Sequence, residues 1–105
     1  MEFLYLTTTG WKSGRAHEIE IWFVALDGAY YLVSEHGEES HWVRNIRRNA
    51  EISFWAEGRR HQGRARIVEP ERDVGLAEQV RSLMDAKYEW SSGVIVELRP
   101  DPATP

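Results

Sequence analysis

Apolar and polar residues alternate with period two along most of this chain, and the interruptions of that alternation mark its turns and helices. Phe3 to Thr8 is rich in aromatic and β-branched residues and stops at Gly10, which predicts a first strand. From His17 to Leu26, Ile19, Ile21, Phe23 and Ala25 fall on one face and Glu18, Glu20, Trp22 and Val24 on the other, a single strand of period two. Asp27-Gly28 supplies the two positive-φ positions of a tight hairpin, and Tyr30 to Ser34 returns from it. After a polar loop over 35–39, Ser40 is placed to cap a short helix running to Asn49. Trp42, Val43 and Ile46 form its apolar stripe, and Arg44, Arg47 and Arg48 its basic flank. Ile52, Phe54 and Trp55 open a fourth strand that turns at Glu57-Gly58. Arg59 to Val68 follows, with His61, Gly63, Ala65 and Ile67 alternating against a solvated set of Arg60, Gln62, Arg64 and Arg66. Pro70 suits the first turn of a longer helix whose stripe is Leu76, Val80, Leu83, Met84 and Lys87. Ser91-Ser92-Gly93 breaks it, Val94 to Leu98 closes as a strand, and residues 99–105 form a Pro-rich tail expected to fray.

Six strands, mostly antiparallel, with one short and one longer helix predict a mainly β (α+β) architecture closed into a small barrel, because closure removes exposed sheet edges. No repeat or linker divides it, so residues 1–98 read as one domain with room for a single core. Five tryptophans in 105 residues change that picture: some belong at an interface or in a pocket, which predicts a homodimer. The absence of cysteine excludes disulfides, thiolate metal sites and cysteine nucleophiles. No stretch approaches the ~20 apolar residues of a membrane span and the first residues carry no signal pattern, so no transmembrane segment and a cytoplasmic location are expected.

The net charge of −4 argues against a nucleic-acid partner. The cations are nevertheless concentrated from Lys12 to Arg66, and the later segment is acidic, a distribution that suits a small anionic ligand. Within the basic half, Leu6-Thr7-Thr8-Thr9-Gly10-Trp11-Lys12-Ser13-Gly14-Arg15 places hydroxyls, two glycines and two cations in a turn between strands. Such a turn can present backbone N–H groups to a phosphate, or it can simply be a hairpin. His17, His36, His41 and His61 match no metal-ligand spacing. Glu18 and Glu20 share a strand face and read either as a carboxylate pair or as partners of arginines on a neighbouring strand. No nucleophile elbow is present.

Four segments together resemble a known family, the deazaflavin-dependent nitroreductases of the flavin-reductase-like split β-barrel superfamily. They are Leu6 to Gly10 with Lys12-Ser13-Gly14-Arg15, then His17-Glu18-Ile19-Glu20-Ile21-Trp22-Phe23, then Ser40-His41-Trp42-Val43-Arg44-Asn45, and finally Met84-Asp85-Ala86-Lys87-Tyr88 ahead of Val94 to Leu98. The resemblance implies a homodimeric split β-barrel that binds the reduced 8-hydroxy-deazaflavin coenzyme F-420, whose phosphate and polyglutamate tail are anionic. It implies hydride transfer to a small electron-poor acceptor such as a quinone, a nitroaromatic or an activated enone. By position, Lys12 and Ser13 match the phosphate turn; Arg15 and His17 are counted with them as cofactor-binding residues, although His17 replaces a more basic or variable residue of the family pattern. Trp42, Val43, Arg44 and Asn45 match a cofactor-lining helix start, and Tyr88 stands where the family has a tyrosine near the reacting ring, which makes it the expected catalytic residue, a hydrogen-bond donor to the developing negative charge. Trp11 departs from the pattern, occupying a position where many members carry arginine. Two other readings stay open at this point: an FMN-binding reductase on the same barrel, and a non-catalytic module that holds a flavin, a deazaflavin or haem.

Overall fold

The run from His17 to Leu26 is two strands, not one, and the break between them organises the molecule. In a computed structural model that describes residues 2–102, the chain forms β1 (Phe3–Thr9), β2 (Ala16–Trp22), β3 (Val24–Leu26), β4 (Ala29–Ser34), α1 (His41–Arg48), β5 (Glu51–Ala56), β6 (Arg59–Val68), α2 (Val74–Tyr88) and β7 (Val94–Pro100), with a 3-10 turn at Gly37–Glu39. All seven strands join one antiparallel sheet in the order β2-β1-β5-β6-β7-β4-β3. The two edge strands of that sheet are consecutive in the chain, separated only by Phe23. The sheet therefore curls until one bent strand serves both edges, which is the expected split β-barrel with one more strand than the alternation predicts.

Phe23 bends because its backbone is satisfied outside the ladder. Its N–H donates to the Tyr88 hydroxyl (3.3 Å), while its carbonyl accepts from that hydroxyl (2.7 Å) and from Lys87 Nζ (3.2 Å). The hairpins on either side are built as their sequences require. Asp27 and Gly28 have φ of 49° and 80°, and Glu57 and Gly58 have φ of 53° and 77°.

Apolar side chains pack in two clusters on opposite faces of the sheet rather than in one core. Inside the barrel lie Leu4, Leu6, Phe23, Leu32, Phe54, Val96 and Leu98, and Val43 and Ile46 of α1 plug one end. Outside it, α2 lies over Val24, Tyr31, Val33, Val68 and Ile95 through Ala77, Val80, Met84 and Tyr88, spaced i, i+3, i+7 and i+11. Leu83, expected in the stripe, is instead 38% exposed. The helix register follows the sheet beneath it, which favours the small Ala77 at the close approach.

Three other expectations change. α2 begins at Val74 and not at Pro70, because Arg72 N and Asp73 N both donate to Glu69 O and hold 69–73 as a turn. Ser40 occupies the N-cap position of α1, yet its hydroxyl bonds Ser34 Oγ (2.7 Å) and not the helix backbone. Glu18 and Glu20 lie opposite Thr7 and Tyr5, with no arginine across from either. The tail is ordered further than expected: β7 runs to Pro100, and Asp101 N donates to Gln62 O (2.8 Å); residues 103–105 lie outside the described residues.

One buried acid fastens α2 to the sheet. Glu97 on β7 accepts from Tyr31 Oη (2.8 Å) and Arg66 Nε (3.1 Å), and Arg66 reaches on to Asp73 Oδ2 (3.2 Å) at the start of α2. Burial alone would raise the Glu97 carboxyl, but the bonds from Arg66 and Tyr31 and the charges of Arg66 and Arg99 outweigh it and hold it below the ordinary value. The same burial, together with Glu97, pushes the Tyr31 phenol up to about 12.

Candidate functional site

Beside the bend at Phe23 the two sheet edges part, and a cleft of about 670 Å³ opens between β2, the end of β4, the first turn of α1 and the end of α2. That volume is within the range of sites that hold a cofactor-sized ligand. One wall is aromatic. Trp22 stacks on Tyr88 with ring centroids 4.8 Å apart and planes 5° from parallel, while Trp90 meets Trp22 edge-on at 6.3 Å and Phe3 flanks it at 6.2 Å. Each ring is held by another, so a flat apolar surface is in place before any ligand arrives. Trp42 borders the same cleft from α1.

The other end of the cleft is polar. Ser34 Oγ donates to Gly37 O (2.9 Å) and shares a bond with Ser40 Oγ, and His36 borders the same end. The first intrahelical bond of α1 is Arg44 N to Ser40 O (3.1 Å), so helix geometry leaves the N–H groups of His41, Trp42 and Val43 without intrahelical partners. Such a helix start favours negative charge.

The basic turn is a separate structure joined to this cleft through α1. Gly10 N donates to Arg15 O (2.7 Å), Gly14 N to Gly10 O (2.9 Å) and Arg15 N to Ser13 Oγ (3.2 Å), and Gly14 takes φ of 71°. A Cβ at Gly10 would fall 2.6 Å from Ser13 Oγ and 2.8 Å from His17 Nε2, so a side chain there would push both of these exposed groups aside. Lys12, Ser13, Arg15 and His17 are all exposed on this turn, and none of them borders the cleft. Trp11 is 39% exposed, and Lys12 Nζ rests 4.8 Å from its ring centroid.

Asn45 connects the two. Its Oδ1 accepts from Trp11 N (2.9 Å), and its Nδ2 donates to Thr8 Oγ1 (2.9 Å), both inside a pocket where Asn45 is 3% exposed. α1 thus carries Trp42 at the cleft and grips the basic turn one helical turn later.

Of the residues singled out from the sequence, Trp42 and Tyr88 line the cleft and Lys12, Ser13, Arg15 and His17 gather on the turn. Val43 is fully buried in the barrel, so only its backbone N–H can face a ligand. Asn45 is buried as well, and Arg44 is exposed on the outer side of α1. The Tyr88 hydroxyl is engaged by backbone on every side: Phe23 N and O as above, and Glu2 O at 2.7 Å. Lys87 beside it is partly buried, which would lower its pKa, but the bond to Glu2 (2.8 Å) and the neighbouring Tyr88 raise it instead. Sequence reasoning missed Trp22, Phe3, Ser34 and His36. The available signal was Trp22 itself, an indole on the strand face otherwise held by Glu18 and Glu20.

Residues 1–95 match the family described as F-420-H2-dependent quinone reductase. No curated protein matches the chain. Among solved structures, an F-420-H2-dependent reductase shares 25% identity with a TM-score of 0.65, covering 93% of this chain and 94% of that one. A Listeria innocua structure described as a putative pyridoxamine 5'-phosphate oxidase superposes with a TM-score of 0.75 at 16% identity, covering 97% and 86%. The haem storage protein HutZ of Vibrio cholerae gives 0.74 at 20% identity, covering 97% and 83%. The last two show the shared barrel and no more. With a match that spans nearly the whole barrel, the chain belongs to the F-420-H2-dependent quinone reductase family.

Proposed function

We propose that the aromatic cleft holds the ring of reduced coenzyme F-420, that the Lys12 turn holds its phosphate, and that the acceptor is a small electron-poor molecule such as a quinone. The observation that carries this reading is α1, which borders the cleft with Trp42 and is bonded through Asn45 to the basic turn. One short helix therefore fixes an apolar ring site relative to an anion site, and that pairing suits a flat ring bearing a phosphorylated tail. Trp22, Trp42 and Trp90 offer the apolar surface; Lys12, Ser13 and the backbone of 10–15 offer charge-assisted and N–H bonds to the phosphate.

When bound, the coenzyme supplies a hydride to the acceptor. The chain supplies orientation, exclusion of water by the aromatic wall, and stabilisation of negative charge by the first-turn N–H groups of α1. Tyr88 fits this scheme as a wall and a positioning residue. Its hydroxyl is committed to Phe23 and Glu2, and its ring fixes the plane of Trp22.

A homodimer is the second part of the proposal. The outer face of β1 and β5 is covered by neither helix, and Phe3, Tyr5 and Trp55 are 42%, 40% and 49% exposed there. Strand register sets Glu20, Tyr5, Trp55 and Arg60 in one row across the sheet. A twofold pairing of this face about an axis that runs along the strands reverses the row, stacking the two aromatic centres and laying the acidic end of one copy over the basic end of the other. Sedimentation equilibrium of Trp55→Glu against the unmodified chain tests it; a monomeric unmodified chain rejects the interface.

Titration with F-420, FMN and haem, followed by quenching of tryptophan emission, tests the cofactor assignment. F-420 is expected to bind most tightly. FMN binding as well as F-420 would move the assignment to a flavin reductase, and tight binding without reoxidation of the reduced coenzyme by menadione would point to storage.

A further inference from the structure

Asn45 sits where the two halves of the candidate site meet, and both of its side-chain polar atoms have protein partners without any ligand. Its amide oxygen takes the Trp11 N–H and its amide nitrogen bonds Thr8 Oγ1, each at 2.9 Å, and both Asn45 and Thr8 are almost wholly buried, at 3% and 2% exposure. Trp11 N is the first backbone donor after the Gly10 bend, one residue before Lys12. A side chain from the third position before the end of an eight-residue helix therefore fixes the place of the turn that carries Lys12, Ser13 and Arg15. The turn's own bonds, Gly10 N to Arg15 O and Gly14 N to Gly10 O, set its shape but not its position relative to the cleft. The bond from Trp11 N to Asn45 Oδ1 is what ties the turn to the buried side of α1.

We infer that Asn45 is a positioning residue for the anionic tail: it touches neither ring nor phosphate but holds the basic turn at the distance from the Trp42 end of α1 that a ring-plus-tail ligand needs. The inference rests on the reading of the turn as the phosphate site. Its consequence is specific. Loss of the Asn45 bond frees the turn while Trp22, Trp42 and Tyr88 keep their places, so affinity falls for a ligand that spans both sites and not for one that uses the cleft alone. A residue that merely held the fold together would weaken both ligands alike.

The test compares F-420 with the tail-less riboside of the same deazaflavin ring, measuring both dissociation constants by tryptophan quenching in the unmodified chain, Asn45→Leu and Thr8→Val. The unmodified chain should prefer F-420 by about tenfold or more, the scale of one charge-assisted phosphate bond. Asn45→Leu should cut that preference about tenfold while the riboside constant stays within about twofold. Thr8→Val keeps the strand shape and removes only the hydroxyl that orients the amide, so it should act in the same direction if Asn45→Leu folds poorly. Amide hydrogen exchange at Trp11 supplies a readout without ligand: protected in the unmodified chain, fast in both variants. An unmodified chain that binds both ligands equally defeats the phosphate reading of the turn. A clear preference that survives in folded variants with fast Trp11 exchange leaves that reading intact and overturns the role of Asn45.

Discussion

Replacing Tyr88 by Phe removes one oxygen and tests whether that oxygen holds the barrel or assists the reaction. The ring stays, so the stack on Trp22 at 4.8 Å is retained. What is lost is the hydroxyl that receives Phe23 N–H and whose one proton is shared between the carbonyls of Phe23 and Glu2. Lys87 Nζ still reaches Phe23 O, so that carbonyl keeps a partner, whereas Phe23 N–H loses its own in a buried position. Leaving a buried backbone donor unpaired costs about 1–3 kcal/mol. In a domain of this size that corresponds to a Tm lower by about 5–10 °C. Differential scanning calorimetry gives the Tm, and steady-state oxidation of reduced F-420 by menadione, normalised to folded protein, gives kcat and KM. The expected outcome is the fall in Tm with kcat changed by less than about threefold, because the hydroxyl has no bond to spare for the acceptor. An unchanged Tm with kcat reduced tenfold or more would refute the reasoning and make Tyr88 a proton donor.

Lys12→Ala should weaken F-420 about tenfold and make the remaining affinity less sensitive to salt, checked by titration at two ionic strengths. Glu97 is held ionised below its ordinary value of 4.5, so its contribution to stability is present above that pH and is lost as pH falls through the lower folded-state value. Glu97→Gln should lower the Tm at neutral pH and flatten the acid limb of the Tm-against-pH curve. Gly93→Ala should prevent correct folding, since its φ is 137° and a Cβ would collide with Ser34 O at the polar end of the cleft. Gly75→Ala meets open space on α2 and should raise stability by about 0.5–1 kcal/mol, read from urea melts.

The strands were legible because their alternation is local: β6 falls at Arg59–Val68, as the pattern of residues 59–68 predicts. Both Asp27-Gly28 and Glu57-Gly58 were legible for the same reason, since the turn type is written in two adjacent residues. The break at Phe23 was not, because a hydroxyl 65 positions later satisfies its backbone. Likewise the burial of Ala77 in place of Leu83 depends on the sheet under α2, which no helical period can register. In the candidate site, the segments 10–15 and 40–45 stood out through their residue types, and the structure brings them together through Asn45. Trp22 was hidden by its neighbours. It shares a face with Glu18 and Glu20, and only the curl of the sheet turns that end of β2 toward Tyr88 and Trp90.

The central claim is that the tryptophan-lined cleft is where reduced F-420 delivers its hydride. It is tested most directly by single-turnover reoxidation of protein-bound reduced F-420 on mixing with menadione, in the unmodified chain and in Trp42→Ala. The account predicts protein-dependent reoxidation well above the rate in solution, together with weaker coenzyme binding when Trp42 is removed. Reoxidation no faster than in protein-free solution, or unaltered coenzyme binding and rate in a folded Trp42→Ala, would contradict it.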